Sequence, residues 1–184
     1  MAVYDLPTSV TIGGREYEVR SDFRAILDVM EVMADADLTD EERGGIALTI
    51  FYPDVETIPQ EDLEDAAERL MWFVRGGDGR EPGGRRIRLM DWSQDFQLVV
   101  APVNRVLGLE CRAQPYLHWW TFLNAYYEIG DCLFAQVVAI RKKLKTGKKL
   151  DKQEREFYRD NHAMVDLKTR ETAAEAETFD AWLS

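Results

Sequence analysis

Histidine and cysteine are scarce in this sequence of 184 residues, and long apolar runs are missing altogether. Only two residues of each type occur. Cys111 and Cys132 form neither a CxxC pair nor a secreted disulfide framework, which favours free thiols in a reducing cytoplasm. No uncharged apolar stretch reaches the roughly 20 residues that a membrane span requires, and residues 1–7 lack a signal-peptide pattern. We therefore expect a soluble, cytoplasmic protein that folds without disulfide bonds.

The motifs of catalysis and ligand binding are missing as well. His118 and His162 lie on different predicted helices, without a second ligand at metal-binding spacing. Gly147-Lys148 lacks both the following Ser or Thr and the earlier glycine of a phosphate loop. Asp35-Ala36-Asp37 begins like a calcium loop, but Asp40 stands where that loop needs glycine. No nucleophile elbow is present. The sequence predicts a protein that is not an enzyme and uses no metal and no cofactor.

Negative charge is concentrated in the first part of the chain. The net charge is −11; residues 1–74 carry −13, whereas residues 75–184 carry +2. An acidic surface repels nucleic-acid phosphates, so we expect neither a nucleic-acid nor a membrane partner. A basic cluster at residues 141–152 fits a phosphate-binding patch or a solvated helix end. Contact with an acidic protein surface, such as residues 1–74 themselves, is the favoured interpretation.

The first 75 residues read as an acidic subdomain made of a hairpin and three helices. Apolar and polar residues alternate on both sides of Gly13-Gly14, which predicts a short β-hairpin. Helices are predicted to open at Ser21-Asp22, at the capping-box pattern beginning with Thr39, and after Pro59. In the first helix, apolar residues at helical spacing form one stripe that reaches Ala34.

A linker rich in glycine and arginine, residues 76–88, separates this part from a C-terminal helical subdomain, residues 89–184. Four helical stretches are predicted there: from Asp91 to Gly108 with a kink or division at Pro102, from Pro115 to the Gly130 region, from Leu133 to Leu144, and from Leu150 or Asp151 towards Phe179. The predicted fold class is mainly α, a helical bundle-like domain with a short N-terminal β-hairpin.

The adjacent tryptophans Trp119 and Trp120 mark the most distinctive segment. We place them in the middle of a helix, in or beside the C-terminal helical core, and expect at least one of them to be strongly buried. Other short segments occur in a characteristic order along the chain: Leu6-Pro7 before the hairpin, Trp72-Phe73 before the glycine-rich break, and a Glu-Arg-Glu run at 154–156. On these residues the chain resembles the phage tail assembly chaperone family that is encoded next to the tape measure protein in long-tailed phages and prophages. The family-hallmark core residues are Leu117, His118, Trp119, Trp120 and Phe122.

This resemblance implies a protein–protein interaction role in virion morphogenesis. The chain would bind the tape measure protein of a Siphoviridae-type tail and keep it soluble in the host cell cytoplasm. Further partners would be a second copy of the chain or a companion tail assembly protein. Two alternatives stay open: a structural tail or virion component, and an acidic DNA mimic or other nucleic-acid-linked factor. The residues that contact the client remain unknown at this stage.

Overall fold

The computed structural model describes residues 4–78 and 87–168, which are mainly helical with one small antiparallel hairpin. The mainly α fold class with an N-terminal hairpin is therefore confirmed. Short 3-10 turns lie at 55–57, 60–62 and 111–113. In chain order, the strands and α-helices are β1 Ser9–Ile12, β2 Arg15–Glu18, α1 Phe23–Met33, α2 Asp40–Phe51, α3 Leu63–Val74, α4 Trp92–Leu107, α5 Trp119–Tyr127, α6 Leu133–Lys145 and α7 Lys152–Val165.

The described residues form two compact units. The first contains residues 4–78 together with 116–121, and the second contains residues 87–115 and 122–168. The division that the sequence predicts at 76–88 stays a prediction, because residues 79–86 of that linker lie outside the described part of the chain. The chain passes from one unit to the other a further time between residues 121 and 122, which lies inside α5.

Local sequence signals account for the start of the first unit. In the hairpin, Val10 pairs with Tyr17, and Gly13 and Gly14 form the turn with φ angles of 54° and 81°. Both turn residues thus have the positive φ of the turns that best match strand twist. Val10 and Tyr17 are buried on one face, as the predicted alternation of apolar and polar residues requires.

The predicted helix starts of α1 and α2 are also confirmed. The Asp22 carboxylate accepts a hydrogen bond from the Arg24 backbone N–H at 3.0 Å. At α2, the Thr39 hydroxyl accepts from the Glu42 N–H at 3.2 Å, and the Glu42 carboxylate accepts from the Thr39 N–H at 2.8 Å. These caps satisfy backbone donors that have no partner inside a helix.

Aromatic side chains of α2 and α3 form the centre of the first unit's core. Phe51 and Phe73 are fully buried, with ring centroids 5.1 Å apart. The hydroxyl of Tyr52 donates to the Ala66 carbonyl at 2.9 Å, so this buried polar group is satisfied. Ile46, also in α2, is 40% exposed.

The buried face of α1 differs slightly from the predicted apolar stripe. Phe23, Ile26 and Val29 are its buried residues. Ala34, predicted to continue the stripe, is the C-cap and is exposed. The helix ends one residue before it, so the last predicted position never reaches the core.

In the second unit, α4 is one continuous helix and Pro102 does not divide it. It begins after the cap residue Asp91, whose carboxylate accepts from the Gln94 N–H at 3.1 Å. It ends at Gly108, which has the left-handed φ of 70° that glycine adopts at helix ends. Pro102 is buried in the second turn from the C-terminus of α4. Of the two predicted outcomes, a kink or a division, the division is wrong.

The remaining helices of the second unit depart from prediction at their ends. The helix expected from Pro115 begins only at Trp119. The last helix opens at its predicted cap, Asp151, but ends at Val165 rather than near Phe179. Asp166 is already extended, with φ −67° and ψ 124°. The predicted continuation over residues 169–184 lies outside the described residues.

Candidate functional site

The hallmark segment, residues 117–122, begins as an extended strand-like stretch and not as the middle of a helix. His118 forms an isolated antiparallel bridge with Asp22. The Leu117 carbonyl accepts from the Phe23 N–H at 2.9 Å, and the Leu117 N–H donates to the Asp22 carboxylate at 2.9 Å. The backbone groups needed for an earlier helix start are therefore engaged with residues far away in sequence, which explains the late start of α5.

The two tryptophans close the C-terminal end of α3. The Trp119 indole N–H donates to the Val74 carbonyl, and the Trp120 indole N–H donates to the Phe73 carbonyl, each at 2.9 Å. The last carbonyls of a helix have no partner within the helix, so these indoles act as a side-chain cap. Trp119 is fully buried. The prediction of at least one strongly buried tryptophan is confirmed, but its place is the first unit and not the C-terminal core.

A glycine makes room for the second indole. An added Cβ at Gly77 would lie 2.7 Å from the Trp120 ring, and the Gly77 φ of +83° disfavours any other residue. The Trp72 ring stands edge-on to Trp120, with centroids 5.3 Å apart. Gly77 therefore serves the packing of Trp120 as well as the turn after α3.

His118 makes two hydrogen bonds with other residues of the first unit. Its Nε2 lies 2.9 Å from the Pro7 carbonyl, and its Nδ1 lies 3.0 Å from the Trp120 backbone N–H. Since a carbonyl only accepts and an N–H only donates, the proton sits on Nε2 and Nδ1 accepts. Burial lowers the pKa of His118 below its usual value. This geometry describes a packed structural histidine.

Phe122, the remaining hallmark residue, belongs to the second unit. It is fully buried, with its ring 6.2 Å from that of Trp92. Of the five hallmark residues, Leu117 to Trp120 are thus together in the first unit, and Phe122 contributes to a different core. The structure assigns all five to packing and hydrogen bonding within their own unit.

A buried ion pair organises the second unit. Arg141 donates to both oxygens of the Asp95 carboxylate, at 2.6 and 2.9 Å, and both side chains are almost completely buried. The other three guanidinium N–H groups bond to the carbonyls of Leu89, Met164 and Val165. All five donors are satisfied, and two of them cap the end of α7.

Sequence analysis missed this pair and placed Arg141 in the exposed basic cluster. The signal was present: Asp95 lies three residues after Trp92 and four before the buried Val99, on the apolar face of α4. An acid at such a position requires a buried cationic or hydrogen-bonding partner. Nothing in the local pattern identified Arg141 as that partner.

What remains of the basic cluster is a set of lysines at and beyond the end of α6. Lys143 pairs with Glu154, with N–O distances of 2.5 and 2.7 Å. The others are solvent-exposed: Lys142, Lys145, Lys148, Lys149 and Lys152. Beside them, the ends of α6 and α7 form an open groove of about 420 Å³. Its lining includes Leu144, Lys145, Tyr158, Val165 and Leu167.

The first unit presents exposed apolar side chains within an acidic surface. Acids crowd the first turns of α2 and α3, and among them hydrogen bonds from Thr39 lower the pKa of the exposed Glu42. The exposed large apolar residues of this unit are Tyr4, Leu6, Met33, Ile46 and Tyr116. We take these five as the candidate partner-binding residues, since apolar atoms left in water gain most from a partner.

The shifted pKa values do not form a catalytic arrangement among the described residues. Burial raises the pKa of Tyr126 to about 12 and also raises that of the Cys111 thiol, which makes both groups less reactive. Hydrogen bonds from Arg112 lower the pKa of Glu110 to about 2 on the protein surface. Over residues 4–78 and 87–168, no group of three His, Cys, Asp or Glu side chains could hold a metal ion.

No helix within these two ranges has the length and apolar content needed to cross a membrane. No curated protein and no solved structure shows significant similarity to the chain. The model of one protein family, described as Bacteriophage Gp15 protein, matches residues 3–167 and so spans nearly all of both units. The expectation that this is a phage protein is thereby confirmed. The chain belongs to the bacteriophage Gp15 protein family.

Proposed function

We propose that this chain is a tail assembly chaperone that binds the phage tape measure protein and keeps it soluble during tail morphogenesis in the host cytoplasm. No chemical step is involved. The observation that carries the proposal is the family match over residues 3–167, which favours a phage structural or morphogenesis protein. The resemblance of the hallmark segment to tail assembly chaperones supplies the finer assignment.

The surface of the first unit supports a client-binding role. A long helical client exposes apolar stripes that aggregate when uncovered, and an amphipathic helix can lay such a stripe on apolar side chains of a partner. Met33 and Ile46 are 42% and 40% exposed and belong to the neighbouring helices α1 and α2. They offer a modest exposed apolar area, which suits a client that must later be released.

Charge supports the solubility part of the proposal. The −13 of residues 1–74 gives a complex a large net charge of one sign, and like charges keep particles apart. The apolar contacts would set affinity, at about 25 cal/mol for each Å² of apolar surface buried. The acids would then set the solubility of the loaded complex.

Co-expression with the tape measure protein of the same phage tests the proposal. We expect soluble tape measure protein only when this chain is present, and recovery of both in a pull-down. The complex should persist at roughly 0.5 M salt, where charges are screened beyond about 4–5 Å. Equal solubility of the tape measure protein without this chain would contradict the proposal.

Matched variants locate the contact. Ile46→Glu places a charge among the candidate partner-binding residues and should reduce recovery of the client. Leu133→Glu makes the same change at an equally exposed residue, 43%, of the second unit. It should leave recovery unchanged. Equal loss from both variants would show that the first unit's surface is not the binding surface.

A structural tail component is the second candidate, since the family match favours structural proteins as much as assembly factors. The two differ in the fate of the chain. A chaperone leaves before the particle is finished, whereas a structural component remains. Quantitative mass spectrometry of purified virions, calibrated against the tube protein, would favour the structural role if this chain is present at a fixed copy number.

A further inference from the structure

The groove between the ends of α6 and α7, which lies within the second unit, has apolar walls. Its volume of about 420 Å³ falls in the range of ligand-binding sites. Leu144, Val165 and Leu167 line it, and the ring of Tyr158 adds an aromatic surface. Val165 is fully buried, whereas Leu144 is 39% exposed, so apolar area remains for an occupant to cover.

Hydrogen bonds hold the wall of the groove that follows α7. The Arg141 Nε donates to the Val165 carbonyl at 2.5 Å. The side-chain amide of Gln94 donates to the Asp166 carbonyl at 2.8 Å and accepts from the Lys168 N–H at 3.1 Å. This stretch is therefore fixed although it lies beyond the helix. A site that is already formed requires little ordering when a partner binds.

The charges around the groove specify the sign of the occupant. Residues 141–168 contain ten Lys or Arg and five Asp or Glu, a net charge of +5 in a chain of −11. Among the lining groups, Arg141 is committed to Asp95 and to backbone carbonyls, and the Asp166 carboxylate accepts from the Tyr158 hydroxyl at 2.9 Å. Lys145 has no salt-bridge partner within residues 4–78 and 87–168.

Further lysines extend this positive rim. The helix dipole accounts for lysines in the last turn of α6, but not for those that lie beyond it. Carboxylates of a partner complement such a rim. The exposed lysines beside the groove are Lys142, Lys148, Lys149, Lys152 and Lys168.

The backbone around the groove favours a helical occupant over an extended one. An added strand needs a row of unpaired main-chain groups. A helix pairs its own backbone groups and is recognised through its side chains. Six carbonyls at the ends of α6 and α7 already accept hydrogen bonds: those of Lys142, Lys143, Leu144, Met164, Val165 and Asp166.

We propose that this groove binds an acidic amphipathic helix of another protein. Apolar side chains of that helix cover Leu144, Leu167 and the ring of Tyr158, and its carboxylates pair with Lys145 and the lysines beyond α6. The inference goes beyond the proposed function, because the candidate partner-binding residues for the client belong to the first unit. Either site can therefore fail in its test without the other.

The test uses the full-length chain and a fluorescein-labelled synthetic helix of roughly 15 residues, about the length at which isolated helices become stable. The probe carries leucine at positions i, i+3, i+4 and i+7, with glutamate and alanine elsewhere. One comparison peptide replaces glutamate by lysine, and another replaces leucine by serine. Fluorescence anisotropy should show saturable binding of the acidic probe, at least about tenfold tighter than that of either comparison peptide.

Paired variants locate the binding site on the chain. Leu144→Ser should weaken binding roughly 5–20-fold through lost apolar contact. Leu133→Ser is the control, since Leu133 is 43% exposed and belongs to the same helix, about 16 Å away along its axis. Lys145→Glu should weaken binding roughly 3–10-fold, whereas Arg15→Glu, the same charge change at an exposed residue of the first unit, should leave it unchanged.

Several outcomes would overturn the proposal. Equal binding of the lysine peptide would do so, as would equal effects of a groove variant and its control. Circular dichroism checks that each variant is folded; if Leu144→Ser is not, the comparison of Lys145→Glu with Arg15→Glu decides. Self-association that is lost in Lys145→Glu, measured by sedimentation, would make a second copy the occupant. Binding of a thymidine oligonucleotide that is lost in Lys145→Glu, with no binding of the acidic probe, would indicate a phosphate site instead.

Discussion

Removing one member of the buried Asp95–Arg141 pair should destabilise the second unit strongly. Asp95→Ala leaves the guanidinium buried, with three carbonyl partners and no counter-charge. Breaking a buried pair in this way costs about 3–5 kcal/mol. Arg141→Met should cost at least as much. It leaves the buried Asp95 carboxylate without its cation and removes the hydrogen-bond donor from three backbone carbonyls.

Thermal and urea unfolding, followed by circular dichroism, measure the effect. For a chain of this size, 1 kcal/mol corresponds to about 2–4 °C, so the unfolding temperature of the chain should fall by roughly 6–20 °C. Arg155→Met is the control, since the side chain of this exposed arginine of α7 bonds only to the Leu150 carbonyl among residues 4–78 and 87–168. Its change should stay within about 0.5 kcal/mol.

The double variant Asp95→Leu/Arg141→Met tests the reason for the loss. Replacing a buried pair by apolar residues is often close to neutral, so the double variant should be clearly more stable than the sum of the single variants implies. An Asp95→Ala protein within about 1 kcal/mol of the unmodified chain would refute the reasoning, as would strictly additive losses.

Three further predictions concern the first unit. Trp119→Phe keeps an aromatic ring but removes part of the buried indole and the donor to the Val74 carbonyl. Unfolding measurements should show a loss of at least about 1–3 kcal/mol. Gly77→Ala should destabilise more than Gly14→Ala, because both residues have positive φ but only at Gly77 would the added Cβ meet a ring. The pKa of His118 is lower in the folded state than in the unfolded state. The stability that neutral His118 contributes is therefore present above the unfolded-state pKa, and it is lost as the pH falls from the unfolded-state pKa towards the folded-state pKa. The melting temperature should therefore decrease as the pH is lowered from about 7.5 to 5.5. This decrease should be smaller in His118→Gln and unchanged in the control His162→Gln. A decrease of the same size in His118→Gln would contradict the prediction.

Short-range signals predicted the helix starts and the hairpin well. Thr39 and Glu42 are three residues apart, and Gly13 and Gly14 adjoin, so the interactions that fix these elements lie within a few residues. Asp151 defines the start of α7 in the same way.

Long-range hydrogen bonds explain where prediction failed. The stretch before Trp119 has helical periodicity, but Asp22 and Phe23 take its backbone groups. The end of α7 at Val165 is fixed by Arg141, twenty-four residues earlier. For the candidate site, the adjacent tryptophans were recognised as core residues, whereas the helix end that they cap could not be inferred from their neighbours.

The discontinuity of the first unit has a consequence for its synthesis. The indole that caps α3 lies forty-five residues after the Val74 carbonyl that accepts from it. At roughly 5–20 residues per second, the ribosome needs several seconds to supply Trp119 after α3 has been made. During that interval the hairpin and α1–α3 have emerged without the segment that completes their core. A nascent chain of this length is therefore an incomplete folding unit, and an expression boundary placed after residue 78 would leave it permanently in that state.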